Sequence, residues 1–180
     1  EIPLRLVGSE MCIRDRDCNW RGNTHTQEEM TSICDAALTS DIVKLTDVEL
    51  EHFFGEKDIL KGSERLVREK NKLVAVTLGE DGCLLRNRNG YVYQPTYAVD
   101  VVDTTGAGDS FMGALLFQAT RKGFSIDQLS VDELKSIAGF ANACSAGSTR
   151  KYGSMDVMTT MEDARWIMEN IPLKQPTYDF

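Results

Sequence analysis

Asp103-Thr-Thr-Gly-Ala-Gly-Asp-Ser-Phe-Met-Gly-Ala-Leu-Leu116 is the stretch on which the reading of this chain turns. Phe111, Ala114, Leu115 and Phe117 recur at helical spacing, so a helix starts within it. Before it, Tyr97 to Val102 is rich in Val and reads as extended, which makes the motif strand, turn, helix. Gly106, Ala107 and Gly108 form the turn, and Asp109 follows at once.

The first amides of a helix have no partner inside it, and glycines at 106 and 108 let an anion come close to them. The helix dipole adds about 0.3–1 kcal/mol. Pre-aimed donors matter more, since loss of one from an active site lowers rates roughly 10²–10³-fold. A phosphoryl group in flight develops the charge that such donors meet. Asp109 is placed to accept the proton of an attacking hydroxyl, a role that contributes about 10²–10⁴-fold. The competing reading is a tight αβ connection packed with small residues, Asp109 serving the dipole. A Walker loop is disfavoured because no Lys follows the glycines, and a dinucleotide-binding oxidoreductase because Phe111 stands where its fingerprint needs a small residue.

The whole string resembles the second signature of the pfkB, or ribokinase-like, carbohydrate kinase family. The resemblance implies a three-layer αβα fold of the α/β class with a mainly parallel central sheet. It makes Asp109 the catalytic base and Gly106, Ala107 and Gly108 the anion hole. Its cofactors are ATP and Mg²⁺, with K⁺ as a monovalent cation beside Asp103 and Thr105.

Composition is that of a soluble globular protein. The chain has 180 residues, 42% of them hydrophobic and 27% charged, enough for one domain with one core. Its net charge of −8 argues against nucleic-acid or anionic-membrane surfaces as partners. No apolar run approaches the ~20 residues of a membrane span. Cys12, Cys18, Cys34, Cys83 and Cys144 are odd in number and include no CxxC pair, as expected of reduced thiols in a cytoplasmic protein. His25 and His52 stand apart from any Cys or acidic cluster and read as surface residues.

Residues 1–16 have neither helical nor strand periodicity, and Leu6 to Arg16 looks like a translated sequencing adapter. They are set aside as non-native, with a genuine but irregular strand as the alternative. Residues 17–180 are then the C-terminal part of a single kinase domain. The resemblance puts most sugar contacts, and a lid, in an N-terminal part with no counterpart here.

Asp17-Cys-Asn-Trp-Arg21 resembles the family's Asp-x-Asn-x-Arg at a strand end, which turns Asn19 and Arg21 toward the phosphate; an Asx-type turn is the alternative. Glu28 to Leu38 is helical, with Thr24 or Thr26 as its cap. Ser40 to Leu45 and Lys72 to Leu78 read as buried parallel strands, and Glu56 to Lys70 as an amphipathic helix between them. After the first strand, Thr46 and Glu49 match a family pair whose Glu helps hold the water shell of Mg²⁺. The same spacing is that of a capping box, and both readings stand. Thr77, Gly79 and Gly82 match a loop that passes over ATP, Asn87 to Gly90 is a hairpin turn, and Gly123 ends the signature helix. In the helix from Val131 to Ala146, Asn142 matches a residue near adenine, or is a satisfied polar residue on a packed helix. Gly153 ends Thr149-Arg-Lys-Tyr-Gly153, which resembles the family's Thr-x-x-Gly loop with one residue more between Thr and Gly. Met155, Met158 and Met161 are expected under that loop, a last helix spans Thr160 to Asn170, and Pro172 to Phe180 reads as a loose tail.

These residues together imply ATP-dependent transfer of a phosphoryl group to a sugar hydroxyl. The Lys44-Leu-Thr-Asp-Val-Glu49 run looks most like bacterial fructokinases, which make fructose 6-phosphate. 2-Dehydro-3-deoxygluconate kinase, ribokinase and an inactive nucleotide-binding fragment are the alternatives. The resemblance also implies a homodimer of the full-length protein.

Overall fold

Short, nearly continuous apolar runs, separated by helices most of which start behind Thr or Ser caps, give the strands and helices of the computed structural model. It describes residues 14–20, 26–69, 71–123, 125–153 and 158–178. In chain order the elements are β1 (Asp15–Asp17), α1 (Gln27–Leu38), β2 (Ile42–Thr46), α2 (Asp47–Phe54), α3 (Ile59–Glu69) and β3 (Leu73–Thr77). They continue with β4 (Cys83–Asn87), β5 (Gly90–Gln94), α4 (Ala107–Arg121), α5 (Val131–Ser148) and α6 (Met161–Asn170).

The five strands form one sheet in the order β1-β2-β3-β4-β5. β1, β2 and β3 run parallel, and β4 and β5 add an antiparallel pair, so the sheet is mixed. Asp15 and Arg16, set aside on sequence grounds, pair with Ile42 and Val43 of β2. The fold therefore takes in residues ahead of Asp17. Their side chains carry no apolar pattern, but backbone pairing needs none. Residues 1–13 lie outside the described residues.

Alternation along the strands sends side chains to two layers. Val43, Leu45, Val74, Val76 and Leu84 pack with Ala37, Leu50, Ile59 and Leu66 from α1, α2 and α3. Ile42, Leu73, Ala75, Cys83 and Leu85 face Phe111, Leu115, Leu134, Ile137 and Ile167 from α4, α5 and α6. Each large side chain buried this way contributes about 1.5–3 kcal/mol. The result is the expected three-layer αβα arrangement. Lys44, two residues beyond Ile42, shares the face that looks toward α4.

Capping boxes begin four helices: Thr26 with Glu29, Thr46 with Glu49, Ser130 with Glu133, and Thr160 with Asp163. α4 begins differently, at Gly106 with φ 78°, a left-handed conformation that suits glycine and supplies no side-chain cap.

Three expectations change. Tyr97 to Val102 is extended but is not a strand: its one bridge joins Tyr97 to Leu173, and Val101 and Val102 are exposed. Its backbone is paired elsewhere, Ala98 N–H donating to Pro172 O and Val102 N–H to Thr149 O. The tail after Pro172 is pinned rather than loose. Lys174 N–H donates to Thr96 O, Lys174 pairs with Glu80, and Tyr178 meets Tyr93 edge-on. Of the three methionines, Met161 packs against the core, Met158 is exposed, and Met155 lies outside the described residues.

Candidate active site

Parallel strands with helical crossovers leave a crevice at their C-terminal ends, where ligands of open α/β sheets bind. Here a cavity of about 530 Å³ opens at the ends of β2 and β3, lined there by Lys44, Thr46 and Thr77. Gly79, Glu80 and Gly82, in the turn between β3 and β4, form one wall. Thr104, Ala107, Gly108 and Phe111, from the signature stretch, form another. α5 contributes Asn142, Ser145 and Ala146, and Lys174 of the tail also lines it. A hollow of about 680 Å³ beside α3 and the β4–β5 hairpin, lined by charges of both signs, holds none of the candidate site residues.

The first turn of α4 has the donors expected of it. Ala107 N–H turns back to Thr104 O at 3.2 Å, and the next bond of the turn is Ser110 N–H to Gly106 O at 2.9 Å. The amides of Gly108 and Asp109, between them, have no acceptor among the described residues. Asp109 is exposed, and its carboxylate has no hydrogen-bond or ion-pair partner among the described residues. Ser145 Oγ donates to Ala107 O at 3.0 Å and ties α5 to this turn.

Asp103 binds the start of the stretch to the loop after α5. Its Oδ1 accepts from Thr105 N–H at 3.0 Å and Thr105 Oγ at 2.7 Å, and its Oδ2 from Gly153 N–H at 3.2 Å. These bonds, those from Thr105 foremost, hold the Asp103 carboxyl below its ordinary value.

Asn142 is buried, and its amide donates to Gln94 O at 2.8 Å and Pro95 O at 3.2 Å while the residue still lines the cavity. It is thus a satisfied polar residue on a packed helix and a wall of the pocket at once. Glu49 is also buried; its two oxygens accept from Trp20 N–H at 2.6 Å and Thr46 N–H at 2.7 Å. The capping box is formed, and the carboxylate also locks the backbone after β1 to the end of β2.

The segment after β1 holds an Asx-type turn, Asn19 N–H donating to Asp17 Oδ1 at 3.2 Å, with Asn19 itself left-handed at φ 46°. The cap of α1 is Thr26, while Thr24 and Arg21 lie outside the described residues. Asn19 is exposed and does not line the cavity.

Lys44 was not singled out by sequence reasoning, although a Lys inside an otherwise apolar buried strand was a signal that a charge partner must exist. That partner is Asp17, whose oxygens lie 3.0 and 3.1 Å from Lys44 Nζ. Burial raises the Asp17 carboxyl above its ordinary value, and the Lys44 ammonium offsets part of that rise.

Comparison with known proteins agrees with this geometry. The family described as pfkB family carbohydrate kinase matches residues 9–161. "Probable fructokinase-2" of Arabidopsis thaliana is 39% identical over 150 residues, 81% of this chain and 43% of its own. "Fructokinase-1" of Zea mays is 36% identical over 160 residues, 86% of this chain and 46% of its own. The chain thus spans less than half the length of these curated relatives. A fructokinase from Vibrio cholerae, solved with fructose, ADP and calcium ion, superposes with a TM-score of 0.72 at 28% identity, over 86% of this chain and 50% of that one. An aminoimidazole riboside kinase from Salmonella enterica, complexed with aminoimidazole riboside and an ATP analog, gives 0.72 at 28% identity, over 87% and 52%. Signature turn, crevice and sequence similarity converge, and the chain belongs to the pfkB family of carbohydrate kinases.

Proposed function

We propose that this chain carries the nucleotide-binding and phosphoryl-transfer part of an ATP-dependent, cytoplasmic sugar kinase that converts fructose to fructose 6-phosphate. One observation carries the reading: the turn that starts α4, with two amides that have no acceptor among the described residues, forms part of the wall of a cavity at the strand ends. ATP then lies along Thr77, Gly79 and Gly82, with Asn142 and Gly153 on the base side and its γ-phosphate at Gly106 to Gly108. The oxygen of the sugar hydroxyl attacks phosphorus and the bond to the β,γ-bridging oxygen breaks. Asp109 takes the hydroxyl proton, and ADP leaves.

When bound, Mg²⁺ neutralises charge on the phosphate oxygens and keeps most of its water shell. Glu49 would help hold that water shell, and its two oxygens also accept from the amides of Trp20 and Thr46, which fixes the carboxylate at the end of β2. The resemblance also assigns Asn19 and Arg21 to the phosphate, although Asn19 stands outside the cavity lining and Arg21 lies outside the described residues. Asp103 and Thr105 are the residues that would hold K⁺; the Asp103 oxygens also accept three protein hydrogens, which fixes that carboxylate in place. Fructose as substrate is supported by the fructokinases among the relatives. The cytoplasmic assignment is supported by the free thiols of Cys18, Cys34, Cys83 and Cys144.

An ATP-coupled assay on fructose, ribose and 2-dehydro-3-deoxygluconate, using the protein that contains this chain, should show preference for fructose. Asp109→Asn should lower turnover by about 10²–10⁴-fold with ATP binding nearly unchanged; normal turnover would remove Asp109 as the base. Coverage of less than half of each of the two relatives favours a second reading for the isolated chain, nucleotide binding without turnover. Thermal stabilisation by ATP without sugar consumption would support it.

A further inference from the structure

Asp17 and Lys44 form a buried charge pair that neither the signature turn nor the nucleotide loop explains. They are register partners on parallel β1 and β2, so both side chains rise from the same face of the sheet. The Lys44 side chain is only 7% exposed and that of Asp17 21%. Such a pair gives little stability by itself, because desolvation offsets attraction and apolar residues would serve the fold as well.

The position of the ammonium is more telling. Lys44 lines the cavity, and its Nζ lies 3.1 Å from where a Cβ on Gly108 would sit. With no side chain at 108 the cation stands this close to the first turn of α4, and a methyl there would push it back by a few tenths of an ångström. That turn is the positive end of a helix dipole, so a cation there is unfavourable until a negative charge arrives. Asp17 supplies one such charge and uses two of the three ammonium donors, leaving the third for another acceptor. In a chain of net charge −8, a polyphosphate needs local cations. Among the described residues that line the cavity, the cations are Lys44 and Lys174, and Lys174 is paired with Glu80.

We propose that Lys44 is a ligand of the transferred phosphate, reaching it past Gly108, and that Asp17 is the positioning residue that holds the ammonium there. This rests on the kinase reading. The anion is bracketed by Lys44 on one side and the open amides of Gly108 and Asp109 on the other. Lys44 thus meets charge on the phosphoryl group as it passes from ADP to the sugar oxygen.

Titration calorimetry with ATP, ADP and adenosine tests it. Lys44→Met should weaken ATP roughly 10- to 100-fold, ADP less, and adenosine not at all. Because Lys44→Met leaves Asp17 buried alone, the double variant Asp17→Asn/Lys44→Met, which removes both charges, keeps the test open if the single variant does not fold; it should show the same selective loss. A wild-type ratio of ATP to adenosine affinity in the folded double variant would overturn the assignment of Lys44 while the kinase reading stands. A wild-type chain that binds no adenine nucleotide would overturn both.

Discussion

Gly153 N–H donates to Asp103 Oδ2 at 3.2 Å across fifty positions of sequence, so one carboxylate fastens the loop after α5 to the approach of the signature turn. Its hydrogen bonds hold the Asp103 carboxyl below its ordinary value of 3.8. A lowered acid stabilises the fold fully above the ordinary value, and that contribution is lost as pH falls below it through the folded-state value. Asp103→Asn should therefore speed amide exchange at residues 149–153 at neutral pH without touching β2 or β3. Below the folded-state value, wild type and variant should converge. Equal exchange at pH 7 would show that Asp103 does not hold the loop.

Gly108→Ala separates stability from binding. Alanine favours a helix over glycine by up to about 1 kcal/mol. The new methyl would meet the flexible end of Lys44 at 3.1 Å rather than backbone. The two effects nearly cancel, and unfolding in urea should shift by no more than about 1 kcal/mol. ATP affinity should fall because the ammonium is displaced. A loss of several kcal/mol in stability would mean that the space at Gly108 serves packing instead.

Asn142→Ala should behave in the opposite way. It strips Gln94 O and Pro95 O of a buried donor, which costs about 1–3 kcal/mol whether or not nucleotide is present. Denaturation with and without ATP should show that loss in both. A defect confined to the ATP-bound protein would instead assign Asn142 mainly to the base.

Removal of residues 173–180 should lower stability by about 1–3 kcal/mol, from the lost backbone bond of Lys174 to Thr96 and the uncovering of Tyr97 and Tyr93. The melting temperature should drop by several degrees, at about 2–4 °C per kcal/mol. Lys174→Ala should cost under about 1 kcal/mol, since its partner Glu80 is largely exposed. A truncated chain as stable as the whole would return the tail to the loose state read from its sequence.

Local signals were legible and long-range ones were not. The caps at Thr26, Thr46, Ser130 and Thr160 depend on residues three positions apart, and the Thr26 and Thr46 spacings show it directly. The turn at Gly106 to Gly108 announced its open amides for the same reason. Tyr97 to Val102 misled because valines favour strands, whereas the amides of Ala98 and Val102 find partners at Pro172 and Thr149, far along the chain. The tail was misjudged likewise, the Lys174–Glu80 pair spanning 94 positions. Asp15 and Arg16 look unlike a strand because their side chains do not reveal the backbone pairing with β2. Lys44 was visible as a lone charge among Ile42, Val43 and Leu45, but its partners, Asp17 and the gap at Gly108, meet it only in three dimensions.

α5 holds Asn142 against the end of β5 and Ser145 against the start of α4, through one hydrogen bond each to Gln94 O and Ala107 O. The two residues lie three positions apart on one helix, about 4.5 Å along its axis. That helix acts as a spacer of fixed length between the two sides of the cavity, and inserting one residue between 142 and 145 would rotate one anchor about 100° out of alignment. The gauge of the crevice is therefore stored in a helix of small residues, so its width can be retuned in evolution or design by changes that never touch the reacting groups.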